Sequence, residues 1–474
     1  MRATAVIVVG VLAAVALASL VMLTPQTEAE SGDGLQATAP PTNTLRATAP
    51  PTNTLRPSPP PTNTLRPSPS ATPTVTRTPT PTPTQTPSPT ATFTPTFTPS
   101  PTATTVGPDE YPEDFNPLTG LPYPSDEARD RRTLIVKVSN FPPVVRPQSG
   151  LNEADIVFEY EVEGGVTRFA AIYRSQGTER VGSIRSARLL DLELVVMFQG
   201  LLAYSGANAW IDNYIMEADW FWRALTPQHG VNCPPFCRSG EEDKPYEHTL
   251  YGNTYEMWDV AEERQVNQGM AFRGLAFSYE PDPGGVPAQD IYIEYWNDLQ
   301  TTRWQYNPGD GRYYRWNTDI PHVDAVTGNQ IATDNVVILA AEHIDRPDIY
   351  ESETAGIVIE TALWGNGDAW LLRDGQWWEG TWWHAQGRTG LWLTFPDGET
   401  MHLKPGQTWF EVVRPFNLAN RVTISEQPID MQATAEAIFA QQTQAAVQTA
   451  TAIAPYITPT PSPQPPPPGA DQLP

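Results

Sequence analysis

The chain has 474 residues, and its 29 Lys and Arg against 54 Asp and Glu leave a net charge of −25. Proteins that bind nucleic acid neutralise phosphates with clustered basic side chains, so this balance argues against nucleic acid as a partner. Of the 51 Pro, 20 lie in residues 24–107 and 10 in residues 426–474, which confines a folded core to residues 108–425. That core has 24 basic and 47 acidic residues, so a charge of −23 belongs to the folded part.

The first 23 residues are typical of a membrane anchor. Arg2 precedes an apolar run from Ala5 to Leu23 that only Gly10 and Ser19 interrupt. A helix of this length is close to the length that crosses a ~30 Å hydrocarbon layer. Cleaved signal peptides have a shorter apolar run and small residues before the cleavage point. We therefore expect a single-pass anchor in the cell membrane with the folded domain outside the cytoplasm, and a cleaved signal peptide is the alternative.

Residues 24–107 have the composition of a spacer. Three ten-residue units end in Pro-Thr-Asn-Thr-Leu-Arg, and alternating Thr-Pro and Ser-Pro follow them. Proline removes backbone donors, and few apolar side chains remain to bury, so we predict a disordered, extended Thr/Pro linker. Residues 426–474 are predicted to be a low-complexity tail, whose Ala/Gln/Thr-rich part is compatible with a helix.

The core begins with strand-like patterns. Alternating or β-branched segments predict strands at residues 134–138, 155–163, 167–173 and 201–204. Apolar residues at helical spacing predict a helix over residues 183–199, capped by Ser183 or Ser186. From residue 319 onward, short β-like segments alternate with Gly and Asp turns. We therefore predict an α/β (α+β) part over residues 108–318 and a β-rich part over residues 319–425.

Tryptophan is concentrated in the second part of the core. Eight of the 15 Trp fall between Trp364 and Trp409. Aromatic residues suit a half-buried sheet surface, so they could form the core of a small β-domain. The alternative is a platform on which sugar rings stack.

Several sequence blocks resemble the YerB-like family of bacterial lipoproteins, a domain of unknown function. The similarity begins with Asn-Pro-Leu-Thr-Gly-Leu-Pro at residues 116–122 and covers roughly residues 115–415. The other blocks lie at residues 146–151, 154–159, 163–169, 182–188 and 403–409. The resemblance implies an envelope-attached extracytoplasmic protein with an N-terminal α/β part and a C-terminal β-rich part. It implies no established activity.

The sequence departs from this family in its anchor. Family members are typically attached through a lipidated Cys near the N-terminus, whereas the two Cys here are Cys233 and Cys237. We therefore expect the apolar segment from Ala5 to Leu23 to replace the lipid.

Acidic residues of the predicted strand at 155–163 are weak candidates for catalysis. The period of two places four carboxylates on one face: Asp155, Glu159, Glu161 and Glu163. Paired carboxylates serve glycoside hydrolysis when one stays protonated and the other acts as base or nucleophile, and a nearby His248 would favour such a site. The alternative is a solvated strand face whose charges pair with Arg168, Arg174, Arg185 and Arg188.

The block Gly-Ser-Ile-Arg-Ser-Ala-Arg at residues 182–188 is a candidate anion-binding site. Backbone N–H groups at a helix start, together with Arg185 and Arg188, could bind a carboxylate or phosphate. Arg168 is the third basic residue that we assign to this site.

Cys233 and Cys237 are expected to form a disulfide, because an exported protein with two Cys favours that pairing. The alternative is zinc, since His229 and His248 flank the two Cys at a spacing that could complete four ligands. The sequence contains no HExxH, P-loop or GxGxxG motif, and we expect no cofactor.

These patterns lead to two functional hypotheses. The first is a non-enzymatic envelope module that binds cell-wall polymer or another surface protein. The second is a hydrolase that acts on envelope glycan through the carboxylates of residues 155–163. Carboxylates gathered in a cleft away from arginine would favour the hydrolase, and arginine-paired carboxylates would favour the binding module.

Overall fold

The structure, a computed structural model, describes residues 105–241, 243–295, 300–352, 356–415 and 421–430. The predicted anchor, nearly all of the predicted linker and the tail beyond residue 430 lie outside these ranges. The described α-helices are α1 (Asp126–Asp130), α2 (Leu189–Met197), α3 (Ala209–Glu217) and α4 (Thr254–Glu263). Short 3₁₀ helices occupy Pro143–Val145, Glu163–Gly165, Phe221–Arg223, Pro227–His229 and Tyr246–His248. In this part of the chain, helices of the length and apolarity needed to cross a bilayer are absent.

Strands make up most of the regular structure. The first twelve are β1 (Phe115–Asn116), β2 (Leu121–Pro122), β3 (Leu134–Ser139), β4 (Ile156–Val162), β5 (Val166–Tyr173), β6 (Val181–Gly182), β7 (Leu201–Ala203), β8 (Ala224–Leu225), β9 (Phe236–Arg238), β10 (Leu250–Gly252), β11 (Ala276–Phe277) and β12 (Val286–Pro287). The next seven are β13 (Asp290–Glu294), β14 (Thr301–Asn307), β15 (Arg312–Asn317), β16 (Ile320–Pro321), β17 (Ala332–Thr333), β18 (Asn335–Ala340) and β19 (Glu342–Ser352). The last seven are β20 (Gly356–Ala362), β21 (Gly365–Arg373), β22 (Gln376–His384), β23 (Trp392–Thr394), β24 (His402–Leu403), β25 (Thr408–Val413) and β26 (Val422–Ser425).

Eleven of these strands form the largest sheet of the described residues. Its order is β12-β22-β21-β18-β25-β4-β5-β3-β7-β8, and β23 pairs with β22. Near its centre, β25 runs parallel to β4, and Glu411 lies opposite Glu159. Strands from both sides of the boundary drawn at residues 318 and 319 are therefore hydrogen bonded to each other, and the two parts share one sheet.

A six-stranded sheet covers one face of the large sheet. Its order is β16-β15-β14-β13-β26, with β17 beside β15. Trp304 of β14 packs edge-on against Trp409 of β25, with ring centroids 5.1 Å apart. On the other face, Phe158 of β4 stacks on Phe410 at 4.6 Å and contacts the edge of Phe198, the residue that ends α2. The large sheet is thus buried between two apolar layers.

The observed elements confirm the strand-rich character and the four predicted strands of the first part. One alternative for the strand at residues 155–163, a solvated face, is wrong. Every residue of β4 is buried, so its carboxylates do not lie on a solvated face. The period of two arises because successive side chains of β4 point to opposite faces of the sheet. Apolar side chains lie on one face, and charged side chains with partners lie on the other.

Candidate functional site

Three strands that run in the same direction end together at one edge of the large sheet. β3 is parallel to β7, and both β3 and β4 are antiparallel to β5, which lies between them. We call the edge where β3, β4 and β7 end the carboxyl edge. Ligands of sheets with parallel strands bind outside the carboxyl ends of the strands. Glu163 directly follows β4, and Arg168 lies opposite Ser139 at the end of β3, so both belong to this edge.

Residues 183–188 cross the carboxyl edge without forming the predicted first turns of a helix. The Arg185 N–H donates to the Lys137 carbonyl at 3.0 Å, and other backbone groups of the segment are bonded to neighbouring strands and loops. Helix α2 begins only at Leu189, with Arg188 as its N-cap residue, and the two predicted serine caps are wrong. Arg185 and Arg188 therefore do not share a helix face, and anion binding here must rest on side chains.

The side chains of Arg168, Arg185 and Arg188 form what we call the arginine cluster. Arg168 donates to the Ser186 carbonyl at 3.0 Å, and Arg185 donates to the Glu247 carbonyl at 2.8 Å. Burial, together with repulsion from Arg188 and Arg185, lowers the pKa of Arg168 to about 9. Burial and Arg188 also lower the pKa of Arg185. The three guanidinium groups are therefore close enough to repel one another, inside a domain with a charge of −23.

A carboxylate neutralises part of the cluster. Arg188 Nε donates to Glu163 Oε2 at 2.6 Å, and the two side chains are 5% and 3% exposed. Arg168 and Arg185 are half-buried and keep contact with solvent. An incoming anion would thus meet these two guanidinium groups first.

Lys137 lies beneath the cluster and was not a predicted site residue. Its side chain is fully buried, and its Nζ donates to the Tyr160 hydroxyl and to Asp191 Oδ1, the latter at 3.2 Å. Burial lowers the pKa of Lys137 to about 7, although Asp191 opposes this shift. The available signal was a lysine in the middle of the apolar strand Leu-Ile-Val-Lys-Val, because an amine buried there needs specific partners.

Several buried polar atoms at this edge have no hydrogen-bond partner. They are Glu163 Oε1, Ser183 Oγ, Arg185 Nε and His248 Nδ1. Burial and the charge of Arg185 lower the pKa of His248, so its ring is neutral at pH 7. Buried polar atoms without partners are uncommon in native proteins, because each costs about 1–3 kcal/mol. Glu163, Ser183, Arg185 and His248 therefore bring four such atoms to the carboxyl edge.

The four candidate carboxylates are held apart by separate partners. Glu159 Oε2 pairs with Arg315 at 2.5 Å, and Glu161 pairs with Arg414 at 2.8 Å. Asp155 accepts the N–H groups of Arg174 and Ser175 at 2.5 and 2.8 Å. Of the four basic partners predicted for them, Arg188 alone forms a described side-chain ion pair, with Glu163.

Cys233 and Cys237 are joined in a disulfide, which uses both thiols and contradicts the zinc alternative. His229 Nε2 instead pairs with Asp212 at 2.7 Å. Within the described ranges, no group of three His, Cys, Asp or Glu side chains is arranged to hold a metal ion.

The tryptophans of the β-rich part divide between the core and the surface. Trp378, Trp382 and Trp409 are at most 5% exposed and belong to the core, whereas Trp383 is 50% exposed. Trp383 lies opposite Trp392 across β22 and β23, and both line an open cleft of about 480 Å³. The core interpretation therefore holds for the buried residues, and one aromatic cleft is open to a partner.

Known proteins match this chain over most of the described residues. Residues 118–267 match the N-terminal domain, and residues 291–410 the C-terminal domain, of a protein family of unknown function, DUF3048. The chain belongs to this YerB-like family. It is 27% identical over 320 residues to "Putative lipoprotein YerB" of Bacillus subtilis strain 168, which covers 64% of this chain and 87% of the relative.

A solved structure supports the same assignment. The crystal structure of the YerB protein from Bacillus subtilis matches with a TM-score of 0.55 and 26% identity, over 66% of this chain and 99% of that one. The arginine cluster and Lys137 lie within the region that matches the N-terminal domain. The family descriptions name no activity, so the function must be argued from the site.

Proposed function

We propose that this protein is a non-enzymatic module of the cell envelope that binds an anionic group of the cell-wall polymer at the arginine cluster. The observation that carries the proposal is the gathering of Arg168, Arg185 and Arg188 at the carboxyl edge beside buried polar atoms without partners. Arginine suits this role because its planar fork binds carboxylate or phosphate through two parallel hydrogen bonds.

The charge distribution favours a local contact over general adhesion. The folded core has a charge of −23, which repels an anionic polymer at most of its surface. Binding therefore requires a site where positive charge is concentrated and partly desolvated. The carboxyl edge supplies such a site, since Arg185 and Arg168 reach solvent and Lys137 adds positive charge below about pH 7.

The paired carboxylates support binding over hydrolysis. Glu159, Glu161 and Glu163 each contact a guanidinium group at 2.5–2.8 Å. A guanidinium partner stabilises the charged form of a carboxylate, whereas a hydrolase needs one carboxylic acid that stays protonated. This arrangement is the one expected of the binding module.

The cellular location is part of the proposal. The relative is named as a lipoprotein, and the apolar segment from Ala5 to Leu23 would replace a lipid as the single-pass anchor. The Thr/Pro-rich residues 24–107 would then hold the domain away from the membrane and within reach of the wall. Protease accessibility of the domain on intact cells tests this orientation.

Retention on purified cell walls tests the binding. The full chain in detergent is applied to Bacillus subtilis walls with and without their phosphate-containing polymers. Retention only by phosphate-bearing walls assigns phosphate as the ligand, and retention by both assigns the carboxylates of the remaining wall. Arg185→Gln should release the protein, and Arg388→Gln, at an exposed arginine, should not. Absence of retention on either wall, or equal retention of the two variants, would overturn the proposal.

A further inference from the structure

The opposite edge of the large sheet has a second pocket. β18, β25 and β4 are parallel neighbours, and we call the edge where they begin the amino edge. The residues directly before these strands are Asp334, Gln407 and Asp155. All three line one pocket of about 540 Å³, which we call the amino-edge pocket.

Gln407 presents an unused acceptor in this pocket. Its side chain is buried, and its Nε2 donates to the carbonyls of Leu151 and Ala154 at 3.0 and 2.6 Å. These two bonds determine the orientation of the amide, because only the NH₂ group can donate to both carbonyls. Gln407 Oε1 is buried and has no partner. A donor on a ligand would satisfy it.

Asp334 and Arg312 place opposite charges side by side at the pocket wall. Asp334 Oδ1 lies 3.8 Å from Arg312 Nε, which is too far for a hydrogen bond, and that Nε is buried without a partner. Burial raises the pKa of Asp334, and the neighbouring Arg312 only opposes this shift. The carboxylate therefore lacks a close positive partner, and Arg312 Nε lacks an acceptor, although Arg312 Nη2 donates to the Ala332 carbonyl.

The absence of a side chain at Gly406 leaves room for the Asp334 carboxylate in this position. Gly406 has φ of +145°, and a Cβ there would lie 2.2 Å from Asp334 Oδ2. Asp334 Oδ2 also accepts the Gln407 N–H at 3.0 Å. The carboxylate is thus fixed against the backbone by one oxygen, while Oδ1 is left for other contacts.

We propose that the amino-edge pocket binds a free α-amino acid with an apolar side chain. The ammonium group lies between Asp334 Oδ1 and Gln407 Oε1, and the carboxylate accepts from Arg312 Nε. An α-amino acid carries its two charged groups on the same carbon atom, which matches an acceptor and a donor 3.8 Å apart. Leu121, Pro122 and Pro124 form an apolar wall for the side chain. The volume lies within the usual range of ligand pockets, about 300–1,000 Å³.

Calorimetric titration of the full chain with leucine tests this proposal. We expect binding at millimolar concentration or below by L-leucine or D-leucine. N-acetylleucine lacks the ammonium group and leucinamide lacks the carboxylate, so each should bind at least about tenfold more weakly, because a charge-assisted hydrogen bond is lost. These analogues test the proposal on the unaltered protein, independently of whether any variant folds.

Variants locate the binding. Asp334→Asn keeps an oxygen for the Gln407 N–H but removes the charge, and Arg312→Gln removes the guanidinium. Each should weaken leucine binding about tenfold or more. Asp368→Asn and Arg388→Gln, at exposed positions, are the matched controls. No binding of leucine, binding of either analogue as tightly as leucine, or unchanged affinity in Asp334→Asn and Arg312→Gln would each overturn the proposal.

Discussion

The carboxyl edge and the amino edge belong to the same sheet but have opposite chemistry. At the carboxyl edge, three guanidinium groups and the buried Lys137 concentrate positive charge. At the amino edge, Asp155 and Asp334 precede their strands and accept backbone N–H groups. The seven residues of β4 separate the two edges by about 20 Å at ~3.3 Å per residue. The domain's acidic net charge therefore conceals one basic end.

A buried layer of charge lies between the two edges. Glu159 of β4 lies beside Glu411 of β25, and both are fully buried with Arg315 as the guanidinium partner of Glu159. Burial and the neighbouring Glu159 raise the pKa of Glu411 to about 8, so it is protonated at neutral pH. Glu159 and Glu411 in the middle of the sheet thus find their partners within the protein, although Arg315 Nε and Trp409 Nε1 are buried there without a partner.

Breaking the ion pair between Glu159 and Arg315 should have the largest effect on the stability of the protein. Arg315→Met leaves Glu159 buried without its guanidinium, and we expect the free energy of unfolding to fall by about 3–5 kcal/mol. Arg346→Met is the control, because Arg346 and its partners Asp348 and Glu360 are 23%, 60% and 25% exposed, and each such pair contributes about 0–1 kcal/mol. Urea unfolding measures both.

A double variant checks the cause of that loss. Adding Glu159→Gln to Arg315→Met removes the unpaired charge and should recover part of the stability. If the double variant were less stable than Arg315→Met, the pair would not be what stabilises the centre of the sheet.

Glu411→Gln should change how stability depends on pH. The folded pKa of about 8 lies above the ordinary value of 4.5, so Glu411 contributes stability at acidic pH that is lost as the pH rises through 8. The slope approaches about 1.4 kcal/mol per pH unit between these values. In Glu411→Gln the amide oxygen can accept from Trp304 Nε1 and the amide NH₂ can donate to the Tyr295 hydroxyl, so the variant should gain stability relative to the wild type from pH 5 to pH 8.

Urea unfolding at several pH values measures this difference, with Glu379→Gln at an exposed position of β22 as control. A constant difference between Glu411→Gln and wild type over this pH range would show that Glu411 is charged in the folded protein.

These central charges also show how far the sequence alone could lead. The strands at residues 134–138 and 155–163 were predictable because their patterns of apolar residues are local. Arg315 was not predictable as the partner of Glu159, because 156 positions separate them. The start of α2 was missed for a related reason: the backbone of residues 183–188 bonds to distant segments, which overrides its local helical tendency.

The site residues also divide into those that a local sequence pattern indicates and those that only contacts between distant segments bring together. Arg168, Arg185 and Arg188 were proposed from one local block and its neighbour, and the structure brings them together. Arg312 and Asp334 of the amino-edge pocket belong to no motif. The pairing of β18 with β25 places Asp334 beside Gln407, and the pairing of β15 with β17 brings Arg312 to Asp334. Local patterns thus predicted the basic edge, and only the fold reveals the acidic one.

Removing the disulfide should affect the carboxyl edge more than the amino edge. Cys237 lies in β9, which pairs with β10, and β10 pairs with β6 directly before residues 183–188. Replacing Cys233 and Cys237 by Ser should cost about 2 kcal/mol in the loop-entropy description. The arginine cluster should then bind phosphate more weakly, and leucine binding should be unchanged.

Treating the wild type with a reductant should reproduce the phosphate and leucine affinities of the double Ser variant. If leucine binding fell as much as phosphate binding, the disulfide would stabilise the whole domain and not one edge.

Titrating each of two single variants with both phosphate and leucine should show the smallest changes in free energy, and the most specific ones. Arg185→Gln should weaken inorganic phosphate binding about tenfold, or ~1.4 kcal/mol, and leave leucine affinity within about twofold. Asp334→Asn should do the reverse, because the two sites share no side chain and lie at opposite ends of buried strands. Calorimetry with both ligands on both variants measures the four affinities. If Arg185→Gln also lowered leucine affinity, the buried layer around Glu159 would couple the two edges and they would not be independent sites.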